Sequence, residues 1–445
     1  MKINWSQVRF TLYIFGFLLL LQFGQRQFEG AFYAISHWLN DNMTAILGYV
    51  KITLVLIWIL GISYSVWKGL FKRNALFRTA VLLSIPLIYY VYNIRIRITP
   101  TYYIAKDIGD KIGKVYVNDD KLGYKQLPFS TGYRPLGGKF VTITHDENGG
   151  RIPVGYKHTG KRPLVLTLGC SVSYADACWA EDGFTHQIAK DIGGDYINAA
   201  CSGYGASQMI LRAKELIPKY KPDYVIVQYT FWIVERSMKY YQDFFGGNFP
   251  IPYISDNGLE PTVFSPKGLQ QTPFGEFKNT PVGTLDFIKF FLRVAPYHAY
   301  QDFNSIWVNI KAFFGFIPKP AKDRERAENY VYGELARICR ENNTKMIVWT
   351  TGTGFHLKDV RVIPPDTIYK LKIPIAYADT ALYKKNNAWD RPTYAKYYAH
   401  WAIKKGEKDS SVVDGHPNKL CHRIIADEIV KIIRESEKSK IKLTN

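Results

Sequence analysis

The sequence predicts an α/β domain in which a parallel β-sheet is covered by helices on both faces. From residue 163 onward, short apolar strands alternate with helical segments, ending in an amphipathic helix over residues 420–435. This alternation favours a parallel sheet, because parallel strands need crossover connections and helices usually supply them. Two further features come before this domain: long apolar stretches, and then a segment rich in Gly, Tyr and Thr.

The order of the predicted elements follows from hydrophobic runs and helix stop signals. Gly193-Gly194 closes the first long helix, and Lys221-Pro222 closes the second. The predicted strands cover residues 163–168, 196–198, 224–229, 345–350 and 373–378. The predicted helices cover residues 181–192, 207–220, 323–342 and 420–435. In such sheets, functional residues lie on the loops that follow the carboxyl ends of the strands.

Residues 1–98 are predicted to form a membrane region with about three transmembrane helices. The apolar stretches cover residues 10–24, 44–67 and 77–93, and a spanning helix needs about 20 largely apolar residues. A cleaved signal peptide is the alternative for the first stretch, and a buried core helix for the third. Lys68, Lys72, Arg73 and Arg78 lie between the second and third stretches, and positively charged loops stay in the cytoplasm. Three spans therefore predict a multi-pass membrane protein with an extracytoplasmic large domain, whereas two spans would reverse its side.

Composition and charge narrow the classes of partner. The 445 residues include 58 Lys and Arg against 38 Asp and Glu, a net charge of +20, which indicates an anionic partner. No compact Arg/Lys cluster is evident, so we expect a lipid membrane and not a nucleic acid. The five cysteines are too few for a disulfide scaffold, and their spacing is unlike a zinc site. We expect no cofactor and no metal.

The rest of the chain is predicted to have three further parts. Residues 99–162 form a β-rich extension with hairpins such as 139–144, residues 163–437 form the main domain, and residues 438–445 form a basic tail. An insertion at 237–320 contains the apolar stretch 285–316. It is either an insertion with its own small core, which we favour, or a lid or membrane-resting surface.

Three loops contain residues suited to nucleophilic catalysis. Ser171 follows Gly169 after the first strand, where helix-start N–H groups are available to hold an oxyanion. Gly203, after the second strand, can bring its N–H close to a ligand. Asp414 and His416 precede the last helix, and residues two apart in an extended loop point the same way, so the carboxylate can orient an imidazole general base. The alternatives are a capping serine, a plain glycine-rich loop and a helix-entry turn.

Together, these loops resemble the SGNH (GDSL-like) hydrolase superfamily over residues 163–437. The similarity lies in the order G-x-S, N-A-x-x-S-G, K-P-D and D-G-H-P-N. It implies a flavodoxin-like three-layer α/β/α fold and ester chemistry at a serine. By this resemblance Ser171 is the nucleophile and contributes an oxyanion N–H, Gly203 is a second oxyanion donor, His416 is the base and Asp414 is its partner. The segment 122–151 also resembles the β extension that precedes the domain in some members.

The chain departs from the family pattern at two points. The family usually has Asp three residues before His, whereas Asp414 is two before His416, so another acid such as Asp379 is an alternative partner. The family's oxyanion Asn after the third strand has no counterpart in residues 228–236. Gln228 or Thr230 is a candidate substitute, and otherwise the two backbone N–H groups act alone or the site is degenerate.

These observations lead to three functional hypotheses. The first is a membrane-anchored serine esterase that removes O-acyl (acetyl) groups from an extracytoplasmic polysaccharide or glycan. The second is an O-acyltransferase that works with a membrane acyl-donor partner, a membrane acyltransferase, and the third is a non-catalytic binding or assembly component. The substrate is thus predicted to be a glycan or an acylated small molecule, with the aromatic residues Tyr394, Tyr397, Tyr398 and Trp401 serving either as a sugar-stacking surface or as packing.

Three secondary expectations concern residues near these loops. A disulfide between Cys170 and Cys201, or between Cys178 and Cys201, is possible in an oxidising compartment. Buried free thiols are the favoured alternative. His422 is expected to pack inside the closing helix and take no part in the reaction.

Overall fold

The computed structural model describes residues 115–136, 139–244, 247–267, 284–350, 362–388, 390–403 and 409–444. The chain divides into two units, Met1–Ile96 and Arg97–Asn445, and every described residue belongs to the second unit. The three apolar stretches predicted to span a membrane lie outside the described residues. Among the helices that are described, none combines the length and the apolar character needed to cross a bilayer.

The described chain contains sixteen strands and ten α-helices. The strands are β1 (Tyr116–Asp119), β2 (Gly123–Gln126), β3 (Thr131–Leu136), β4 (Lys139–His145), β5 (Arg151–Ile152), β6 (Leu164–Leu168), β7 (Asp195–Asn198), β8 (Tyr224–Tyr229), β9 (Tyr241–Phe244), β10 (Gly247–Pro250), β11 (Tyr253–Ser255), β12 (Gly258–Glu260), β13 (Lys345–Thr350), β14 (Ile375–Ala376), β15 (His400–Ile403) and β16 (Ser410–Asp414). The helices are α1 (Ser171–Tyr174), α2 (Phe184–Asp191), α3 (Ala206–Tyr220), α4 (Phe231–Ser237), α5 (Thr284–Phe313), α6 (Arg324–Glu341), α7 (Asp366–Lys370), α8 (Ala378–Lys385), α9 (Arg391–Tyr398) and α10 (Lys419–Thr444).

The central sheet has five parallel strands in the spatial order β14-β13-β8-β6-β7. Counted along the chain, this order is 2-1-3-4-5 with β6 as the first strand, which is the flavodoxin-like order. The predicted α/β class and parallel sheet are therefore confirmed. All five predicted strands are present, and β8 and β13 have the predicted bounds.

Helices cover both faces of this sheet. On one side α10 packs against α2 and α8, and on the other α6 packs against α3, α4 and α7. All six residues of β8 are buried, as expected for a central parallel strand whose two faces are both covered. Burying each Val or Ile side chain of such a strand contributes about 1.5–3 kcal/mol.

The β-rich extension shares a hydrophobic core with loops of the main domain. Strands β1 and β2 form one hairpin, and β3, β4 and β5 form a three-stranded antiparallel sheet, so the predicted hairpins are present. The shared core consists of Val115, Tyr116, Tyr124, Ile143, Tyr174, Ala200, Cys201, Tyr204, Phe249 and Ile251. Because Tyr174 ends α1, which follows β6, and Ala200 and Cys201 lie in the loop after β7, the extension directly supports the segments that follow these two strands.

The segment between α4 and α6 packs a small core of its own. It contains the hairpins β9–β10 and β11–β12 and the long helix α5. Tyr240, Tyr253, Val308 and Ala312 form a separate buried cluster. The described part of the insertion therefore contains a buried cluster of its own.

The closing helix is longer than the sequence pattern indicates. Helix α10 begins at Lys419 and continues to Thr444, so it includes residues 438–444 of the predicted tail. By contrast, α6 lies within one residue of its predicted limits at both ends. Its start is fixed by Asp323, whose side chain caps the first turn by accepting the N–H of Arg326.

Candidate active site

A tight turn at the end of β6 presents Ser171. A Cβ atom added to Gly169 would lie 2.2 Å from Ser173 Oγ and 2.6 Å from Gln228 Oε1, so only glycine fits there. The N–H of Cys170 donates to Gln228 Oε1 at 3.0 Å. Ser171 is then the first residue of α1, at the carboxyl end of a central strand, where α/β sheets place their ligands.

The chain after Ser171 folds back on itself and brings Asp176 beside the serine. Ala175 ends α1 in the left-handed conformation, with φ of 61°. The N–H of Asp176 then donates to the carbonyl oxygen of Ser171 at 3.1 Å. The carboxylate of Asp176 thereby becomes a fixed part of the serine turn.

His416 is held by Asp414 at the end of β16. Asp414 Oδ1 accepts the backbone N–H of His416 at 2.7 Å and lies 2.7 Å from His416 Nδ1. Because a carboxylate only accepts, Nδ1 carries hydrogen and the neutral ring keeps its lone pair on Nε2. Burial opposes ionisation of Asp414, but its hydrogen bonds with His416 and the charge of Arg134 outweigh burial and lower its pKa. The two-residue spacing therefore suffices to pair Asp414 with His416.

The serine turn and the histidine loop are adjacent. His416 Nε2 lies 3.9 Å from Asp176 Oδ2, and Cys178 Sγ donates to the carbonyl oxygen of Pro417 at 3.3 Å. The side chain of Ser171 is turned toward Cys170 Sγ, 3.9 Å away. Within the described residues no hydrogen bond joins Ser171 Oγ to His416, so the structure brings the two loops together without closing that contact.

Arg134 forms ion pairs with an aspartate of the serine turn and with the aspartate that holds His416. The sequence analysis did not identify this residue. Its guanidinium is 2.6 Å from Asp176 Oδ2 and 2.5 Å from Asp414 Oδ2, and its side chain is only 10% exposed. Burial would lower the pKa of Arg134, yet the two carboxylates raise it. Arg134 is an isolated basic residue of β3, 280 positions from Asp414, and no local pattern in the sequence indicates that pairing.

The loop after β7 contacts the serine turn. Asn198 Nδ2 donates to the carbonyl oxygen of Ser173 at 3.0 Å, which fastens the two loops together. Gly203 has φ of 79°, a conformation that favours glycine. In the described part of the chain, the backbone N–H groups of Ser171 and Gly203 donate to no protein acceptor. Oxyanion binding by these two N–H groups stays a prediction.

The two side chains considered as substitute oxyanion donors are buried. Gln228 is fully buried and its Oε1 accepts from Cys170 N–H and from Ser173 Oγ. Thr230 is also fully buried, and within the described residues neither its Oγ1 nor Gln228 Nε2 has a hydrogen-bond partner. Gln228 thus shapes the serine turn through its oxygen, and oxyanion binding by either residue stays a prediction.

Asp379, the alternative partner for His416, has different contacts. It is fully buried at the start of α8, where its carboxylate accepts hydrogen bonds from the hydroxyl of Thr350 and from the backbone N–H of Val362. Asp414 is the residue whose carboxylate reaches His416 Nδ1.

The secondary expectations have clear structural counterparts. His422 of α10 is buried against Phe184 of α2, and burial lowers the pKa of His422 to about 3. The side chain therefore packs as expected. All five cysteines are free and buried, in agreement with the favoured alternative to a disulfide. Tyr394 and Tyr398 are buried, whereas Trp401 is 45% exposed. Across the described ranges, no group of His, Cys, Asp and Glu side chains is arranged to hold a metal ion.

Comparisons with known proteins give a distant structural likeness. No protein-family model matches the chain, and no curated protein matches its sequence. Similar solved structures include a GDSL-like lipase from Bacteroides thetaiotaomicron VPI-5482, with 13% identity over 62% of this chain and 89% of that chain and a TM-score of 0.29. They also include the psychrotrophic esterase EstA from Pseudoalteromonas sp., with 12% identity over 62% of this chain and 99% of that chain and a TM-score of 0.28. At TM-scores of 0.28 and 0.29, the fold of this chain is assigned from its own strand order, and its site from its own contacts.

Proposed function

We propose that this protein is a serine hydrolase acting on carboxylic esters, with Ser171 as nucleophile, His416 as general base and Asp414 as the residue that orients the base. One observation carries the proposal: Asp414 holds His416 Nδ1 at 2.7 Å while Nε2 faces the serine turn. This is the division of roles between the two imidazole nitrogens that a serine nucleophile requires.

The reaction follows from these positions. Ser171 rotates from Cys170 toward His416 when substrate binds, and catalytic hydrogen bonds are often open before that step. Its Oγ attacks the ester carbonyl carbon as its proton passes to His416 Nε2. The carbonyl oxygen becomes an oxyanion held by the N–H groups of Ser171 and Gly203. His416 returns the proton to the departing alcohol, and a water molecule, activated in the same way, then releases the acyl group from Ser171.

The test is labelling and turnover in matched variants. A fluorophosphonate probe should label the native protein and leave Ser171→Ala unlabelled, and hydrolysis of a chromogenic acetyl ester should be lost in the same variant. Ser410→Ala is the control, because Ser410 is exposed on the strand that leads to Asp414, and it should be labelled like the native chain. Labelling and turnover that survive Ser171→Ala would overturn the proposal.

The finer assignment concerns the substrate. We propose O-acyl groups of an extracytoplasmic glycan, with residues 1–98 anchoring the chain in a membrane. A groove of about 690 Å³ supports a large substrate, since it is lined by Trp179 and Trp401 together with Cys178, which lies two residues after Asp176, and Val413, which precedes Asp414 on β16. Exposed indole rings offer flat apolar surfaces on which sugar rings stack. We expect Trp401→Ala to deacetylate acetylated glycans more slowly than the native protein. Its rate of hydrolysis of the small chromogenic ester should not change.

Two observations support the other two hypotheses, a non-catalytic protein and an O-acyltransferase, which the same assay tests. The family pattern has an oxyanion Asn after the third strand that finds no counterpart in residues 228–236, and within the described residues Ser171 Oγ is not hydrogen-bonded to His416. A protein that takes neither probe nor ester would be a non-catalytic binding or assembly component. One that acylates Ser171 but turns over only with a glycan hydroxyl acceptor would be an O-acyltransferase, supplied by a membrane partner.

A further inference from the structure

Helix α5 is amphipathic with its apolar side turned outward. At about 100° per residue, the buried positions of its second half fall on one side: His298, Gln301, Ser305, Val308 and Ala312. The exposed large apolar residues fall on the opposite side: Leu292, Phe303, Ile306, Trp307, Ile310 and Phe313. We call this second set the outer stripe.

This arrangement is the reverse of an ordinary surface helix, which buries its apolar side. Three of the five buried positions are polar, while Phe303 and Phe313 are 70% and 78% exposed. The turn after the helix extends the outer stripe with Phe314 and Phe316, which are exposed as well. A contiguous exposed apolar patch of this kind marks an interaction surface.

The helix is firmly seated, so the outer stripe is a fixed surface. Tyr241 donates its hydroxyl to the carbonyl oxygen of Ser305 in the helix at 3.4 Å, and Tyr240 and Tyr253 donate theirs to the carbonyl oxygen of Pro318, just beyond the helix, at 3.0 and 2.9 Å. Val308 and Ala312 lie in the same buried cluster as Tyr240 and Tyr253. The helix would have to leave this core to turn its outer stripe inward.

The charges beside the outer stripe indicate what covers it. Residues 303–322 carry Lys311, Lys319 and Lys322 and no Asp or Glu, and Asp302 and Asp323 lie just outside the two ends of this range. Lys311 Nζ lies 5.7 Å from the centre of the Trp307 ring. Apolar side chains, a tryptophan and flanking lysines are the composition of helices that lie in the interface of an anionic membrane.

We propose that the outer stripe of α5 lies in the surface of an anionic lipid bilayer, with Lys311, Lys319 and Lys322 against the lipid headgroups. This contact is separate from the chemistry at Ser171 and does not rest on it. It holds the main domain itself against the membrane, whatever residues 1–98 do.

The test uses the full chain reconstituted in vesicles of phosphatidylcholine with or without phosphatidylglycerol. An environment-sensitive fluorophore is attached at Ile306→Cys or Ile310→Cys, with Lys370→Cys, exposed on α7, as the control. Selective labelling is feasible because all five native cysteines are buried. Doxyl groups on the lipid tails report contact with the bilayer.

The expected result is blue-shifted emission and doxyl quenching at both stripe positions in vesicles that contain phosphatidylglycerol, weaker quenching without it, and neither signal at Lys370→Cys. Blue-shifted emission without doxyl quenching would mean that protein covers the stripe, either a second copy or another segment of this chain, and would overturn the proposal. Emission typical of water would overturn it too. Equal quenching in both kinds of vesicle would overturn the anionic assignment.

Discussion

Two histidines of this protein each lie between two aspartates, and they differ in what their nitrogens do. At the edge of the extension, His158 Nε2 is 3.0 Å from Asp146 and its Nδ1 is 3.1 Å from Asp195. Both nitrogens are therefore bound. At the candidate site, His416 Nδ1 is bound at 2.7 Å, whereas Nε2 stands 3.9 Å from the nearest carboxylate.

The surroundings of the aspartates explain this difference. Asp195 also accepts the N–H groups of Thr159 and Gly160, so backbone groups complete that pair. Arg134 instead contacts both aspartates near His416, Asp176 and Asp414. A histidine with two bound nitrogens fastens structure, while one with a single bound nitrogen keeps the other for proton transfer.

Asp414→Asn should have the largest effect. An amide at this position no longer fixes the tautomer with hydrogen on Nδ1, so Nε2 loses its lone pair in part of the molecules. In a serine–histidine–aspartate triad this substitution lowers kcat about 10⁴-fold. The measurement is ester hydrolysis by the folded variant, with circular dichroism to show that the fold is retained.

Asp146→Asn is the matched control, because it alters the corresponding contact of His158. It should leave kcat within about threefold of the native value, as expected for a residue outside the reaction. Equal losses of kcat in Asp146→Asn and Asp414→Asn would contradict the distinction between the two histidines.

Arg134→Met should come next, and it should act mainly on stability. Removing one partner of a buried ion pair leaves the other charge uncompensated, at a cost of about 3–5 kcal/mol. Here two carboxylates, Asp176 and Asp414, would be left. Denaturant unfolding should show this loss, and Arg134→Lys should recover part of it, because lysine keeps the charge without the planar fork. An unchanged unfolding free energy in Arg134→Met would show that the ion pairs do not form.

The sequence predicted the sheet well, because its strands are continuous apolar runs and its helices have clear ends. Each of those signals is local. The predicted pairing of Asp414 with His416 is local too, and the structure shows that contact although the spacing departs from the family pattern.

The missing parts of the prediction all depend on distant contacts. Arg134 reaches the site from the extension, and Asp176 turns toward His416 only because Ala175 adopts a left-handed conformation. The segment of α5 was interpreted only as an apolar stretch of the insertion, and the sequence did not indicate that its apolar residues face outward while Gln301 and Ser305 are buried. Hydrophobic periodicity shows that a stripe exists but not which side of the helix the core will cover.

His158→Gln should have a smaller, pH-dependent effect on stability. The hydrogen bond to Asp146, reinforced by Asp195 and opposed by burial, raises the pKa of His158 to about 9. A raised pKa stabilises the fold fully below the unfolded-state pKa of about 6.5, and this stabilisation is lost as the pH rises to about 9. Partial exposure screens the contribution to about 1–2 kcal/mol.

The measurement is the unfolding free energy of the native chain and of His158→Gln across this pH range. The native advantage should be constant below about pH 6.5 and should fall through the interval up to about pH 9. An advantage that grows with rising pH would mean that His158 binds as a neutral ring. Ester hydrolysis at pH 7, compared between the folded proteins, should not change.

Tyr156→Phe should have the smallest effect and tests whether the His158 contacts act as one unit. The Tyr156 hydroxyl donates to Asp195 Oδ1 at 2.9 Å, and losing such a bond costs about 1 kcal/mol or slightly more when the acceptor is charged. Because Tyr156 and His158 share Asp195, their losses should not add, and the double variant should differ from the sum by about 0.5 kcal/mol or more. Simple additivity would mean that the two side chains act independently. A fall in kcat in either single variant would show that this region is coupled to the site, as Arg134 couples the extension to Asp414.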